Sequence, residues 1–205
     1  MSNIVELPEE KPAPYSQVRD LIDDGDVILF RGERELSKVM VRFSHGAYSH
    51  VGLVLTWFGR RMLLSAEMPK IQVIPLSITV ASYPGRVDWY KLLPEARARL
   101  DMQKLAIESL VNLGVEYGTN KLLELAAHFM IGTKVDDKDE KVRPNSMVCS
   151  QYVSRCFRMA GVDLSPLSDL ATVPGEIAGS PLLHYTGTLK SELAGADEVR
   201  LHQAL

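Results

Sequence analysis

Hydrophobic and polar residues alternate along the first half of the chain in blocks of strand length, whereas helical spacing dominates several later segments. Blocks rich in β-branched and other apolar residues, bounded by turn residues, predict strands at 27–30, 51–57, 61–67, 71–76 and 86–92. Apolar residues with helical spacing predict helices at 15–22, 33–44, 94–114, 119–131 and 145–161. Two weaker patterns predict edge strands at 182–185 and 198–201.

The segment 145–161 carries the clearest helical signal. Asn145 and Ser146 are favourable N-cap residues, and Gly161 is a typical residue just beyond a helix C-terminus. Helical spacing places six residues on one buried stripe: Cys149, Tyr152, Val153, Cys156, Phe157 and Ala160. Both cysteines therefore face the interior, and they lie about 10 Å apart along the axis, too far for a disulfide within the helix.

The two cysteines differ in their position along this helix. Cys149 lies in the first turn, where unpaired backbone N–H groups and the positive end of the helix dipole favour a thiolate. Cys156 lies two turns deeper and is expected to be a small core residue. Cys149 is therefore the candidate nucleophile, and a nucleophile of this kind needs a neighbouring base.

A predicted hairpin supplies a base and a carboxylate. If Phe58-Gly59 forms a two-residue turn, Trp57 pairs with Arg60, and His50 then lies directly opposite Glu67. Directly paired side chains are close enough to interact, so Glu67 is expected to orient the His50 imidazole. A three-residue turn would shift the register by one and move Glu67 to the other face.

The remaining histidines are weaker candidates. His45 is expected on a surface loop, His128 in an apolar helix, His184 in a weak strand and His202 near the chain end. A zinc site built from His45, His50, Cys149 and Cys156 does not fit the usual ligand spacing, so no metal and no cofactor are expected.

Composition narrows the classes of partner. The 205 residues carry 23 basic and 26 acidic side chains, a net charge of −3, which gives no electrostatic footprint for nucleic acid. The chain has no apolar run long enough to span a membrane, and residues 1–16 resemble neither a signal peptide nor an anchor.

We expect a flexible tail at 1–16 followed by a single domain at 17–205. The charged segment 133–143 is expected to be a mobile loop, and one interpretation is that this loop forms a flap over the site.

Three short segments resemble a known family of hydrolases. Gly25-Asp26-Val27-Ile28-Leu29-Phe30, Ser49-His50-Val51-Gly52-Leu53-Val54 and Val148-Cys149-Ser150-Gln151-Tyr152-Val153 occur in this order. They are similar to the circularly permuted branch of the NlpC-type papain-like cysteine hydrolases, in particular the YiiX-like group related to lecithin:retinol acyltransferase. The segments 173–181 and 114–117 are also similar, and the histidine precedes the cysteine, as in the permuted branch.

The resemblance implies an α+β fold, a permuted papain-like antiparallel sheet flanked by helices, with the nucleophile at a helix N-terminus. It implies catalytic roles for Cys149, His50 and Glu67 and places Tyr117 in the substrate cleft. Tyr48, two residues before His50, is predicted as a second substrate-contacting residue. The expected activity is that of a cysteine peptidase or amidase acting on cell-wall-type peptide amide bonds.

Two alternatives stay open at this level. The same cysteine and histidine would serve a lipid acyl hydrolase or acyltransferase acting on esters or thioesters. A binding or virion-structural module would keep the fold with an idle site. Many relatives carry a secretion signal, which residues 1–16 lack, so we expect a cytoplasmic protein and leave room for a phage-encoded one or one released on lysis.

Overall fold

A seven-stranded sheet organises the structure, a computed structural model that describes residues 7–32, 48–120 and 144–191. The strands are β1 (Pro12–Pro14), β2 (Val27–Gly32), β3 (His50–Trp57), β4 (Arg60–Ala66), β5 (Ile71–Pro75), β6 (Gly85–Leu92), β7 (Glu116–Tyr117), β8 (Ser146–Met147) and β9 (Leu183–Lys190). The helices are α1 (Tyr15–Val18), α2 (Leu76–Ser82), α3 (Pro94–Arg99), α4 (Met102–Val111), α5 (Cys149–Met159) and α6 (Pro174–Ala178), with a short 3-10 helix at Arg19–Leu21. This is the expected α+β class.

The strand order in the large sheet is β1-β9-β6-β2-β3-β4-β5. All neighbouring pairs are antiparallel except β1 with β9, which is parallel. A second, two-stranded sheet pairs β7 with β8 in parallel. The sheet is thus mostly antiparallel, as expected.

The β3–β4 hairpin has the register that the sequence predicts. Phe58 and Gly59 both have positive φ, 49° and 78°, which is the backbone of a two-residue turn matched to strand twist. Trp57 pairs with Arg60 and Leu53 with Leu64, so the pairing runs without a shift towards His50 and Glu67. Local turn chemistry therefore sets the geometry of the site's two polar residues.

Both faces of the sheet are buried. On β2, Val27 and Leu29 belong to a cluster on the face that α5 covers, and Ile28 and Phe30 belong to a second cluster on the other face. A strand buried on both faces needs apolar residues at consecutive positions, which explains the run at 27–30.

Helix α5 begins later than expected. Ser146–Met147 pair with Glu116–Tyr117 as a strand, and Val148 is extended at φ −87° and ψ 165°. The helix therefore starts at Cys149, and the prediction that Asn145 or Ser146 caps it is wrong. The cause is a tertiary pairing that competes successfully with local capping preference.

The α5 stripe is buried as predicted, but the opposite side of the helix is buried as well. Polar residues on that side have internal partners. Ser154 donates to Asp169 at 2.8 Å, and Arg155 forms an ion pair with Glu108 of α4 at 3.0 Å. Because buried polar groups need such partners, a neighbouring helix and loop must enclose α5.

Three other predictions need correction. The single helix expected at 94–114 is two helices, because Asp101 is extended and caps α4 by accepting from the Lys104 amide at 3.0 Å. No helix was predicted between the strands expected at 71–76 and 86–92, but residues 76–82 form helix α2, in which Leu76, Val80 and Ala81 are buried. Strand β9 is longer than expected and lies inside the sheet instead of at its edge.

The flexible tail expected at 1–16 does not extend through residues 12–16. Pro12–Pro14 form an edge strand paired with Thr188–Lys190, and α1 follows directly. The expected helix at 33–44 lies outside the described residues. The part of the expected helix 119–131 that follows Asn120 also lies outside them. So do the expected loop at 133–143 and the weak strand at 198–201.

Candidate active site

Cys149 is the first residue of α5. Its N-cap is Val148, whose side chain makes no capping hydrogen bond, and the first turn-closing bond runs from the Tyr152 amide to the Val148 carbonyl at 2.9 Å. The amides of residues 149–151 have no acceptor within the helix, so their partial positive charge surrounds the thiol. Cys149 is 1% exposed and belongs to the apolar cluster beneath α5.

His50 is the first residue of β3. It pairs directly with Phe30 of β2, and the two rings lie 5.3 Å apart between centroids. His50 thus lies at the end of an interior strand, and 19% of its side chain is exposed. The strand fixes its backbone and Phe30 restricts its ring.

Glu67 follows the last residue of β4 and approaches His50. Its Oε1 lies 3.4 Å from His50 Nε2, an ion-pair distance at which the groups are not aligned as a regular hydrogen bond. Ser65 Oγ donates to Oε1 and Gln72 Nε2 donates to Oε2, both at 2.9 Å. The carboxylate is therefore held on both oxygens.

The electrostatics join these residues into one unit. Burial by itself would lower the pKa of His50, but the neighbouring Cys149 and, after it, the Glu67 carboxylate raise it to about 10. Burial would raise the pKa of Glu67, but His50, Ser65 and Gln72 together lower it to about 2. Near neutral pH the imidazole therefore carries a proton between two anion-forming groups.

Tyr117 lies beside this unit. The Tyr117 amide donates to the Pro69 carbonyl at 2.9 Å. Tyr117 also pairs with Met147 in the two-stranded sheet, and Met147 is two residues before Cys149 in the chain. Burial raises the pKa of the Tyr117 phenol, and the neighbouring Cys149 and Glu67 raise it further. Tyr117 is thus close to both groups, and its predicted contact with a substrate stays a prediction.

The structure gives Tyr48 another environment than the one expected. Tyr48 is fully buried, and its hydroxyl donates to Asp88 at 2.6 Å and lies 3.0 Å from the Tyr90 hydroxyl. Asp88 also forms an ion pair with Arg86 at 2.7 Å. A hydroxyl committed to a buried carboxylate is poorly placed to contact a substrate, so Tyr48 is better described as part of a polar network in the core.

Cys156 behaves as the core residue that the sequence predicts. It is fully buried, and burial raises the pKa of its thiol to about 12, only partly offset by a hydrogen bond with Ser109. The thiol is therefore protonated at physiological pH. This leaves Cys149 as the candidate nucleophile.

The other histidines take no part in the described site. His184 lies on β9 with an exposed side chain. His45, His128 and His202 lie outside the described residues. Within residues 7–32, 48–120 and 144–191, no group of three or more His, Cys, Asp or Glu side chains is arranged to hold a metal ion.

Two residues of the site were not predicted from the sequence. Ser65 and Gln72 pair across β4 and β5, and both reach Glu67. The alternation of β4 places Ser65 on the same side as Glu67, which was a usable signal. The position of Gln72 depends on the register of β5, which the sequence left open.

Comparison with known proteins supports the fold. No protein-family model and no curated protein sequence matches the chain. A crystal structure of the metalloprotein YiiX from Escherichia coli O157:H7, described as DUF1105, matches with a TM-score of 0.57. The match covers 80% of this chain and 96% of YiiX at 17% sequence identity.

At this level of identity the similarity establishes a YiiX-like fold and nothing about activity. The word metalloprotein describes YiiX. In this chain His50 and Glu67 face each other, and the described residues offer no set of metal ligands around them. In the described parts of the chain, no helix has both the length and the apolar character needed to cross a bilayer.

Proposed function

We propose that the protein is a cysteine hydrolase of the permuted NlpC-type, papain-like class, with Cys149 as nucleophile. The observation that carries the proposal is the placement of Cys149 as the first residue of α5 together with the 3.4 Å approach of Glu67 Oε1 to His50 Nε2. The influence of Cys149 and Glu67 on the pKa of His50 supports it. A thiol at a helix N-terminus, a base in contact with it and a carboxylate behind the base are the parts that thiol-based acyl transfer needs. The order of histidine before cysteine supports the permuted class.

In the proposed reaction the Cys149 thiolate attacks an amide carbonyl and forms a tetrahedral intermediate. The free amides of the first turn of α5 stabilise its oxyanion. His50 then donates its proton to the leaving amine, the C–N bond breaks, and a thioester remains on Cys149. Neutral His50 next takes a proton from water, which attacks the thioester and releases the acid with the thiol regenerated.

His50 Nε2 faces Glu67, which leaves Nδ1 as the nitrogen available to Cys149. Glu67 stabilises the imidazolium and, in the neutral form, keeps the remaining proton on Nε2. Tyr117 is proposed to border the substrate cleft because it adjoins both Cys149 and Glu67. The proposed substrate is an amide bond of a cell-wall stem peptide, by resemblance to the permuted hydrolases.

A second candidate keeps the site and changes the bond. Cys149 lies in an apolar cluster with Met147, Tyr152 and Ile71. These side chains are packed in the core, so they do not by themselves select a substrate. A lipid ester or thioester is the alternative that the same cysteine and histidine would serve.

The test is the capture of an acyl-enzyme. Wild type and the Cys149→Ala and Cys156→Ala variants are incubated with a stem peptide or a long-chain acyl thioester, then digested and analysed by mass spectrometry. We expect an acyl adduct on Cys149, a loss of turnover of about 1,000-fold or more in Cys149→Ala, and near wild-type behaviour in Cys156→Ala. Full turnover by Cys149→Ala refutes the proposal, and no adduct with either substrate indicates an idle binding module.

A further inference from the structure

The Glu67 carboxylate has more partners than orienting a histidine requires. Oε1 accepts from Ser65 Oγ and Oε2 accepts from Gln72 Nε2, each at 2.9 Å, while Oε1 also faces His50 Nε2. Glu67 follows β4, Ser65 lies within β4, and Gln72 belongs to the neighbouring strand β5. Side chains from the two strands β4 and β5 therefore hold the carboxylate of Glu67, which itself lies just after β4.

We infer that Ser65 and Gln72 are positioning residues, which hold Glu67 as an ionised acceptor facing His50. The inference rests on the proposed function and deepens it. Both side chains donate to the carboxylate, and hydrogen bonds to the charged form of an acid favour that form. Without them Glu67 would be free to rotate away from an imidazole to which it is not ideally aligned.

The chain geometry explains why these two residues act together. Ser65 and Gln72 are direct partners in the antiparallel β4–β5 pair, and Ile71 pairs with Ala66 beside them. The Ile71 amide donates to the Val115 carbonyl at 2.8 Å, and the Gly114 amide to the Ile71 carbonyl at 2.9 Å. Since these bonds tie β5 to the segment that precedes Tyr117, the position of Gln72 is fixed from two sides.

Burial raises the pKa of Glu67, and the polar side chains nearest to its carboxylate lower it. His50 on β3 attracts its charge, and Ser65 and Gln72 stabilise it, so the pKa of Glu67 falls to about 2 although burial opposes this. Cys149 on α5 and Tyr117 on β7 complete the surroundings, and burial raises the pKa of Tyr117 so that it stays neutral. The two hydrogen bonds thus preserve the charge that keeps His50 protonated.

The test compares Gln72→Met and Ser65→Ala with wild type, and Gln17→Met on the exposed face of α1 serves as the matched control. Methionine keeps the size of glutamine and removes its donor. Two quantities are measured: the midpoint of His50 protonation by NMR, and the rate of Cys149 alkylation by iodoacetamide at pH 7. Circular dichroism verifies that each variant is folded.

We expect both positioning variants to lower the His50 midpoint and to slow Cys149 alkylation by roughly three- to tenfold, whereas Gln17→Met matches wild type. Wild-type values in folded Gln72→Met and Ser65→Ala overturn the inference. If Gln72→Met does not fold, Ser65→Ala decides the question. A His50→Ala variant that alkylates like wild type refutes the proposed function itself, and this outcome is distinct from failure of the positioning variants alone.

Discussion

A single imidazole joins a thiol and a carboxylate in this protein, and its protonation is the most informative property of the site. His50 is largely buried, which would ordinarily favour the neutral ring. The two anion-forming neighbours reverse that tendency and raise its pKa to about 10. A protonated histidine at neutral pH is therefore a property of the whole site, since His50 by itself would lose its proton.

This shift predicts a pH-dependent contribution of His50 to stability. The folded pKa of His50, about 10, lies above its ordinary value of 6.5. Its contribution is therefore fully present below about pH 6.5 and is lost as the pH rises towards 10. Glu67, with its pKa lowered to about 2, contributes above about pH 4.5 and loses its contribution as the pH falls towards 2.

We expect wild type to exceed His50→Gln in free energy of unfolding by about 1 kcal/mol at pH 5.5, and by less at pH 10. Urea denaturation at pH 5.5, 7, 8.5 and 10 measures the difference. His184→Gln, at an exposed position of β9, is the matched control and should show no such trend. A difference between wild type and His50→Gln that does not change with pH would contradict this account.

At the scale of elements, the close contact of β3 with β4 determines whether His50 and Glu67 meet. Gly52 lies two residues after His50 on β3. A Cβ there would lie 2.7 Å from Leu63 Cδ1, 3.0 Å from the Leu64 carbonyl oxygen and 3.1 Å from Ser65 Cβ. The absence of a side chain at Gly52 is thus a condition for the close packing of β4 at this point.

Gly52→Ala is therefore expected to destabilise the protein by about 1–3 kcal/mol, because the backbone carbonyl cannot yield as a side chain can. The displacement of β4 should also slow Cys149 alkylation, since Ser65 and Glu67 move with that strand. Thermal unfolding and the iodoacetamide rate measure the two effects. Unchanged stability would mean that β4 accommodates the methyl group and that the observed packing is not required.

Elements also show how far local sequence information reaches. The hairpin register follows from the two residues Phe58 and Gly59, whose positive φ angles select a short turn. The start of α5 does not follow from local signals, because the pairing of Ser146–Met147 with Glu116–Tyr117 overrides two good capping residues. The break before α4, in contrast, has a local signal, because Asp101 caps α4 by accepting from the Lys104 amide.

At the scale of the whole molecule, the N-terminal segment closes one edge of the sheet. Beyond the β1–β9 pairing, the Thr188 amide donates to the Lys11 carbonyl at 2.7 Å and Arg86 donates to the Pro8 carbonyl at 2.9 Å. The Lys11 amide also donates to the Tyr185 hydroxyl at 2.9 Å. These contacts join the segment to the polar network around Asp88.

Removal of residues 1–14 is expected to lower the melting temperature and to cause self-association, because it exposes the backbone edge of β9. Removal of residues 1–6 leaves β1 in place and serves as the control. Differential scanning fluorimetry and size-exclusion chromatography at several protein concentrations measure the two effects. A monomeric 1–14 deletion with the wild-type melting temperature would show that β1 does not protect this edge.

The features that could be predicted from the sequence are those that depend on short-range rules. The spacing of apolar residues predicted the buried stripe of α5 and the strands from β2 to β6. The residues of the turn at Phe58-Gly59 predicted the register that brings His50 and Glu67 together. The difference between Cys149 and Cys156 followed from their positions along one helix. Each of these depends on residues close together in the chain.

Features that depend on pairing between distant segments became known from the folded structure. It placed Gln72 beside Glu67, moved the start of α5 to Cys149, put β9 inside the sheet and committed Tyr48 to Asp88. Strand partners and hydrogen bonds join segments far apart in the chain, as Thr188 joins Asp88 and as the Lys11 amide donates to the Tyr185 hydroxyl, 174 residues away. Local propensity carries no information on such partners, because their energy arises only when the whole sheet has formed.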